Sequence, residues 1–308
     1  MPEFFPPRPR YARERARYPY LMLFAFGSLF AVRVAKLFFP ALFAPLWVIL
    51  AVQLGCFLLP SLFFIRLRGK GYARAIRWRR PHATHVPLLI SAFFALLSGA
   101  LLLSILFGGT HTIGNSSAAF EQGTPSGVWM TVFSIPVLAL LPAFLEELLF
   151  RGILCTELDR RGALRSILVG SLFFSLIHFD LANLPVYFFA GALLTLTLYV
   201  TDSLVSTILI HASYNLVSLF GQRYLNALYS FTGSVELFLF LLILIFMASA
   251  MFFAFFCARE YRTRATEELH APRRAVPANV QLYTMLDALG EWPMLLCLVI
   301  SVVGFILL

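Results

Sequence analysis

The sequence predicts an all-α integral membrane protein, and three observations lead to this prediction. First, 60% of the 308 residues are hydrophobic and only 13% are charged, with a mean hydropathy of +0.84, whereas a soluble domain carries about 25% charged residues. Second, the apolar residues lie in stretches of about 20, the length of a helix that crosses the hydrocarbon core. Third, the 24 Lys and Arg residues, which outnumber the 15 acids, are concentrated between those stretches.

Eight apolar stretches are interpreted as membrane spans, and the ninth, Pro293–Leu308, is shorter and left open. In chain order the eight are Tyr20–Phe39, Ala41–Ile65, Val86–Phe107, Val128–Phe150, Leu164–Phe179, Leu184–Val200, Leu204–Phe220 and Val235–Cys257. The first run continues past Leu37 without the short apolar core of a signal peptide, so we expect a retained span. We therefore predict one transmembrane domain over 1–308 with eight to nine helices.

The basic segments assign the two ends of each span, because cytoplasmic loops are enriched in Lys and Arg. Four basic segments fall on one side if every span crosses once: Arg8–Arg17, Arg66–Arg80, Arg160–Arg165 and Arg259–Arg274. The loop Gly108–Gly127 has no Lys or Arg and is placed on the other side as an irregular segment. The N-terminus and a basic segment at 258–292 are therefore predicted to be cytoplasmic, at the cell membrane if the source is bacterial.

The composition also argues against two other kinds of site. The net charge of +9 is accounted for by the loops between spans, so no nucleic-acid partner is predicted. The four cysteines lie in or beside apolar segments without paired spacing, which favours neither a disulfide framework nor a zinc knuckle. We expect all four to be packing residues: Cys56, Cys155, Cys257 and Cys297.

The fourth stretch carries three ionisable residues in its apolar segment Leu141–Arg151. A charged side chain at membrane depth costs roughly 2.5–3.5 kcal/mol or more, so it is interpreted first as functional. Glu147 and Arg151 are four residues apart with the acid first, the favourable order for a pair along one helix face. We expect this compensated pair to act as a scaffold. Glu146 is rotated by about 100° from Glu147 and has no local partner, so it should face neighbouring helices.

Two histidines and an asparagine in later spans are candidates to meet Glu146. His178 ends the fifth stretch, four residues after Phe174, and Asn215 follows His211 by four residues on the seventh. Glu146 and His178 both lie roughly 20 Å from the basic turn that joins their helices, so the two side chains should be level. His211 lies on the order of 14 Å from its own cytoplasmic end. We predict a polar cavity, open to the cytosol, that holds all four groups.

A carboxylate, two imidazoles and a carboxamide suit hydrolysis of an amide bond. Burial should make Glu146 a better base near neutral pH, and His178 can share the attacking water with it. His211 and Asn215 can stabilise the oxyanion of the tetrahedral intermediate.

Two other interpretations stay open at this point. Intramembrane polar residues also join helices by hydrogen bonds, which would describe a non-catalytic membrane protein. Buried carboxylates also relay protons in transporters, although no inverted repeat or pair of broken helices stands out. Hydrolysis with a zinc helix or a nucleophilic serine is less favoured, because there is no His-Glu-x-x-His and Gly123–Gly127 does not match a nucleophile elbow.

Three motifs on successive spans carry a family resemblance: Glu146-Glu147-x-x-x-Arg151, Phe174-x-x-x-His178 and His211-x-x-x-Asn215. In this order they resemble the CAAX-protease and bacteriocin-processing family of intramembrane endopeptidases, which includes the Ras-converting CAAX prenyl endopeptidases. The resemblance covers about 128–220, which we predict to be the catalytic core.

The resemblance implies a helical membrane fold with a cytosol-facing cavity and hydrolysis of a peptide bond in a membrane-associated peptide or protein. Its partners are then membrane lipid and that substrate. The catalytic residues that it implies are Glu146, Glu147, Arg151, His178, His211 and Asn215. Family members are described as glutamate-dependent or metal-dependent, so a divalent metal such as zinc, held by Glu146, His178 and His211, is left open. A non-catalytic immunity or scaffold protein of the same fold is the alternative.

Overall fold

The computed structural model describes residues 17–69, 71–107, 132–159, 162–267 and 278–308. Every regular element in these ranges is a helix, which confirms the all-α fold. Six helices are long and apolar enough to cross a membrane, and up to eight if each of two bent helix pairs forms one span. The predicted eight to nine spans are therefore reached only at the lower limit. The predicted loop Gly108–Gly127 and the N-terminal arginines before Arg17 lie outside the described residues.

The helices follow the predicted apolar stretches. We label them α1 (Tyr18–Phe38), α2 (Leu46–Arg68), α3 (Ala83–Leu106), α4 (Val132–Asp159), α5 (Ala163–Leu176), α6 (Leu184–Thr201), α7 (Leu204–Phe220), α8 (Gln222–Thr232), α9 (Val235–Glu267), α10 (Ala278–Leu289) and α11 (Trp292–Leu307). A 3-10 turn at Pro40–Phe43 and a short helix at Tyr72–Ala75 lie between the longer elements.

The fifth helix differs most from the prediction. α5 ends at Leu176 and has 14 residues, so it extends only about 21 Å and is shorter than a membrane span. The chain then turns through Phe179, whose φ of +51° is uncommon for a residue other than glycine. His178 therefore lies in the turn after α5, not within a span. A hydropathy profile does not reveal this turn, because the apolar residues continue through it.

The fourth helix contains two π-helical turns, at Ile135–Leu140 and Leu148–Leu154. Pro136 lies in the first, and proline removes a backbone donor from the regular helical pattern. The second turn follows Glu147 directly and carries Arg151. Such π-helical turns are frequent at functional sites, and the second one lies where α4 carries its charged residues.

One end of the bundle is held by ion pairs, and we call it the basic face. Arg77 Nη2 lies 2.6 Å from Asp159 Oδ2, and Arg77 Nε lies 3.0 Å from Asp202 Oδ1. Arg68 Nη2 lies 2.7 Å from Glu157 Oε2. These pairs join the ends of α2, α4 and α6 to the loop that follows α2.

Other helix ends meet at the basic face. Arg165 near the start of α5 donates to the Tyr18 hydroxyl at the start of α1, with 3.4 Å between the atoms. His85 in the first turn of α3 lies 3.3 Å from Glu260 of α9. Two residues separate α6 from α7, so α7 begins there as well. The alternation of helix directions predicted from the basic segments is therefore present in the described residues.

The helices α5 and α6 approach each other closely at Gly191. A Cβ at this position would lie 2.8 Å from the Ser171 Cα and 2.9 Å from its Cβ, closer than side chains normally pack. Only glycine therefore allows the two backbones this separation.

Replacing Gly191 with alanine is expected to destabilise the fold by about 1–3 kcal/mol, because the added methyl must push α5 away from α6. Denaturant unfolding of the purified protein in detergent measures this. Gly27→Ala in α1 is the matched control, since nothing lies within 4 Å of the added methyl. Equal stability of the two variants would contradict the close approach.

Candidate active site

A cavity of about 290 Å³ lies between α3, α4, α6 and α7, beside the end of α5. Four of the six predicted site residues lie on its wall: Glu146, His178, His211 and Asn215. The other two, Glu147 and Arg151, are buried behind that wall. The structure thus brings together the side chains that the sequence predicted to share one cavity.

Glu146 is the acid on the cavity wall. Its side chain is 19% exposed, and its Oε2 lies 4.0 Å from His178 Nε2 and 3.9 Å from His211 Nε2. These separations are too long for direct hydrogen bonds, which for such atoms are about 2.7–3.2 Å. They fit one water molecule that hydrogen-bonds to the groups on either side. The predicted level placement of Glu146 and His178 is therefore present.

The ring of His178 is held by two contacts. Its Nδ1 lies 2.7 Å from the Phe174 carbonyl oxygen, and because a carbonyl only accepts, Nδ1 carries the hydrogen. The ring also stacks on Tyr187, with 3.8 Å between ring centroids and 11° between planes. In the neutral ring, Nε2 therefore presents a lone pair toward Glu146.

Glu147 connects His211 to Arg151. Its Oε1 lies 2.9 Å from His211 Nδ1 and 2.8 Å from Arg151 Nη1, and its side chain is fully buried. A carboxylate paired with arginine accepts hydrogen bonds, so His211 Nδ1 donates to it. The predicted Glu147–Arg151 pair is present, and the contact with His211 is an addition that the sequence did not reveal.

Arg151 holds three helices together. Its Nη2 donates to the carbonyl oxygen of Gly191 on α6 over 3.2 Å, and its guanidinium lies 4.2 Å from the centre of the Phe174 ring of α5. A cation over an aromatic face is an attractive contact. Because Arg151 itself belongs to α4, it positions Glu147 against neighbours from both α5 and α6.

Asn215 lies on the cavity wall one helical turn beyond His211. Its Nδ2 donates to the carbonyl oxygen of Ala139 on α4 over 3.2 Å. A carboxamide nitrogen carries two hydrogens, so this bond leaves one for a group inside the cavity. The bond also fixes which side of the carboxamide meets α4.

Comparison with known families gives an independent result for this part of the chain. Residues 128–217 match the family model described as type II CAAX prenyl endopeptidase Rce1-like. We refer to these matched residues as the Rce1-like segment. The match contains all three sequence motifs and confirms the resemblance predicted from them. No match was found among the curated proteins or among the solved structures.

The Rce1-like segment matches a protease family, and it lies among helices that are long and apolar enough to cross a membrane. Its described part comprises α4, α5, α6 and most of α7, and these helices together with the turn after α5 supply all six predicted site residues. The cavity residues outside the segment are Ser218 of α7 and residues of α3, among them Leu96 and Ser104.

The sequence analysis did not identify two tyrosines that lie on the cavity wall. Tyr187 of α6 and Tyr214 of α7 both line the wall. α6 has no charged residue, so hydropathy and spacing gave no reason to select Tyr187. The one available signal for Tyr214 was its position between His211 and Asn215.

The Rce1-like cavity also offers the donor set predicted for a divalent metal. Glu146 Oε2 and the Nε2 atoms of His178 and His211 point lone pairs toward one region, and these donor types fit zinc. Ligand atoms of a tetrahedral zinc site lie about 3.3 Å apart, so the 3.9 and 4.0 Å separations would have to shorten. Among the described residues no group of His, Cys, Asp or Glu has the arrangement of a formed metal site.

The cavity extends from the middle of the helices away from the basic face. On α4 the lining residues Leu138, Pro142 and Glu146 lie between the start and the middle of the helix, whereas Asp159 at its end belongs to the basic face. The side of the membrane to which the cavity opens stays a prediction.

Proposed function

We propose that this protein is an intramembrane endopeptidase that hydrolyses a peptide bond of a membrane-associated peptide or protein, as in CAAX-type or bacteriocin-type processing. The observation that carries the proposal is the 4.0 Å separation between Glu146 Oε2 and His178 Nε2 on the wall of one cavity, which fits one bridging water molecule. The Rce1-like match of residues 128–217 supports the same class of reaction.

Glu146 and His178 activate the water together. Both face the gap as acceptors, so a bound water donates one hydrogen to each and turns its lone pairs toward a substrate carbonyl. Glu146 takes a proton as the carbon–oxygen bond forms, and it then returns that proton to the leaving amine nitrogen. A positioned acid–base group of this kind contributes typically about 10²–10⁴-fold to the rate.

His211 and Asn215 stabilise the oxyanion. Because His211 Nδ1 already donates to Glu147, its Nε2 can donate to an oxyanion only in the imidazolium form. Glu147 Oε1 holds His211 Nδ1, which makes Glu147 a positioning residue for the His211 ring. The free hydrogen of the Asn215 carboxamide supplies the second donor, and loss of one such donor typically costs about 10²–10³-fold in rate.

A divalent metal such as zinc would be held by Glu146, His178 and His211, and it would supply Lewis acidity at the substrate carbonyl. The roles of Asn215 and Glu147 would be the same if a metal were bound. Asn215 stays a hydrogen-bond donor, and Glu147 continues to orient His211 through Nδ1.

The proposal is tested with the purified full chain in liposomes and a set of membrane-anchored fluorescent reporter peptides, with and without a lipid modification on the peptide. We expect cleavage that persists in EDTA, because the separations of 3.9 and 4.0 Å fit a bridging water better than the ligands of a bound metal. Loss of cleavage in EDTA and its return with zinc would assign the metal-dependent form. Absence of cleavage across the peptide set would contradict the endopeptidase proposal.

A further inference from the structure

We propose that Phe179 is a positioning residue for His178, and that α1 and α11 form the socket that holds its ring. This inference rests on the proposed function, and it gives two helices outside the Rce1-like segment a role in the reaction. The residues that line the cavity come from other parts of the chain, so the two helices would act through the turn that carries His178.

His178 differs from the other predicted site residues in its backbone. The other five lie within α4 or α7, whereas His178 lies in the turn 177–183 that joins α5 to α6. Its backbone N–H donates to the Ser175 carbonyl oxygen over 3.3 Å. The contacts of its ring with Phe174 and Tyr187 orient the imidazole. The path of the chain beyond His178 must be held by other contacts.

Phe179, the next residue, has a backbone conformation that needs such contacts. Its φ is +51°, in the left-handed region where the Cβ of an L-residue is crowded by a backbone carbonyl oxygen. A bulky residue is rarely found there, and such a conformation persists only where the surrounding structure holds it. The packing of the Phe179 side chain can supply that support.

The first wall of the socket is one face of α1. The ring of Phe179 is only 3% exposed, and its centroid lies 6.2 Å from that of Phe26 and 5.8 Å from that of Phe30. The Arg33 guanidinium lies 5.9 Å from the centre of the same ring. Residues 26, 30 and 33 share a helix face because they are four and three apart. Aromatic rings and cations at these distances attract an aromatic ring, so α1 holds Phe179 in place.

The second wall is the backbone of α11 at Gly304. A Cβ at this position would lie 2.4 Å from Phe179 Cδ1 and 3.1 Å from its Cγ. The ring therefore packs directly on the helix backbone, an approach that only glycine allows. Because α1 and α11 also pack against each other, the two walls of the socket are joined.

The socket affects catalysis through the chain connection between Phe179 and His178. Consecutive Cα atoms are only about 3.8 Å apart, so a shift of the Phe179 backbone also moves His178. The 4.0 Å separation between His178 Nε2 and Glu146 Oε2 fits one water molecule. A misplacement of about 1 Å, caused by a substitution far from the chemistry, can lower the rate by about 10²-fold. A larger residue at 304 should therefore slow turnover from outside the cavity.

The proposal is tested by a double-mutant cycle on the purified full chain in liposomes, with the membrane-anchored reporter peptides as substrates. The variants are Gly304→Ala, Phe179→Leu and the two combined. Leucine is smaller and more flexible than phenylalanine, so it can yield to the methyl added at 304. Gly27→Ala in α1 is the matched control, because nothing lies within 4 Å of its added methyl. Denaturant unfolding in detergent checks that each variant folds.

We expect Gly304→Ala to lower kcat by up to about 10²-fold while KM stays close to that of the parent chain, because the cavity wall is unchanged. The same substitution should have a smaller effect in the Phe179→Leu background, since residues in contact give non-additive effects. A kcat of Gly304→Ala equal to that of Gly27→Ala would overturn the proposal. An equal effect of Gly304→Ala in both backgrounds would also overturn it.

A second measurement on the same variants needs no turnover. Diethyl pyrocarbonate modifies neutral imidazoles, and mass spectrometry of the digested protein gives the rate at His178 separately from the rate at His211. We expect faster modification of His178 in Gly304→Ala than in Gly27→Ala, because the displaced turn weakens the stack on Tyr187. The rate at His211 is the internal reference. Equal rates at His178 would contradict the positioning role, whereas absence of cleavage by the parent chain would contradict the endopeptidase proposal alone.

Discussion

Replacing Glu146 with glutamine is expected to lower kcat/KM for reporter cleavage by roughly 10²–10⁴-fold, the usual contribution of a general base. The carboxamide keeps the size of the side chain but cannot accept a proton. Its nitrogen would also place a donor where the water now meets an acceptor, opposite His178 Nε2. The measurement is initial cleavage rate against reporter concentration in liposomes, with folding checked by unfolding in detergent.

Glu236→Gln is the matched control, because it makes the same chemical change at an exposed glutamate at the start of α9. We expect cleavage by this variant to equal that of the parent chain. Unchanged cleavage by Glu146→Gln would remove the glutamate from the mechanism. A cellular function that survives Glu146→Gln while no reporter is cleaved would support the non-catalytic scaffold. Flux driven by a pH gradient in vesicles, lost in Glu146→Gln, would instead support a transporter.

The local part of the site was predictable because helical geometry alone determines it. Glu147 and Arg151 are four residues apart, and the pair forms as expected over 2.8 Å. Phe174 and His178 are also four apart, and the histidine ring meets the Phe174 carbonyl. Each of these contacts needs only 3.6 residues per turn and no knowledge of neighbouring helices.

The long-range part of the site was not predictable in detail. Glu147 and His211 are 64 residues apart in sequence, so only the packing of α7 against α4 brings them together. Helix spacing by itself therefore gave Glu147 only a scaffold role with Arg151, although its Oε1 also contacts His211. The spacing of residues within one helix does not show which neighbouring helix each of its faces contacts.

The positions of the helices were predictable from the sequence, but the bends between them were not. The alternation of basic and non-basic loops correctly predicted which helix ends lie together, because Lys and Arg are enriched in the loops on one side of a membrane. Hydropathy did not show that α5 stops at Leu176, nor that Leu282–Leu289 and Trp292–Leu307 meet at an angle of 73°. A bend changes the direction of an apolar segment without changing its composition.

Replacing Arg151 with methionine is expected to give the largest loss of stability, about 3–5 kcal/mol, because it leaves one partner of a buried ion pair uncompensated. Glu147 is fully buried and Arg151 is 1% exposed, so water cannot take the place of the lost charge. The variant also loses the bond to the Gly191 carbonyl. Denaturant unfolding in detergent measures the change, and Arg74→Met at the exposed surface of the basic face is the control.

The double variant Glu147→Gln with Arg151→Met separates charge from packing. If the uncompensated carboxylate causes most of the loss, the double variant is more stable than Arg151→Met alone, since the buried charge is gone. Stability of Arg151→Met equal to that of Arg74→Met would contradict the buried pair. Because Glu147 also orients His211, we expect the double variant to recover stability without recovering cleavage. That result would show that one carboxylate has two physical roles, balancing Arg151 within the fold and holding His211 toward the cavity.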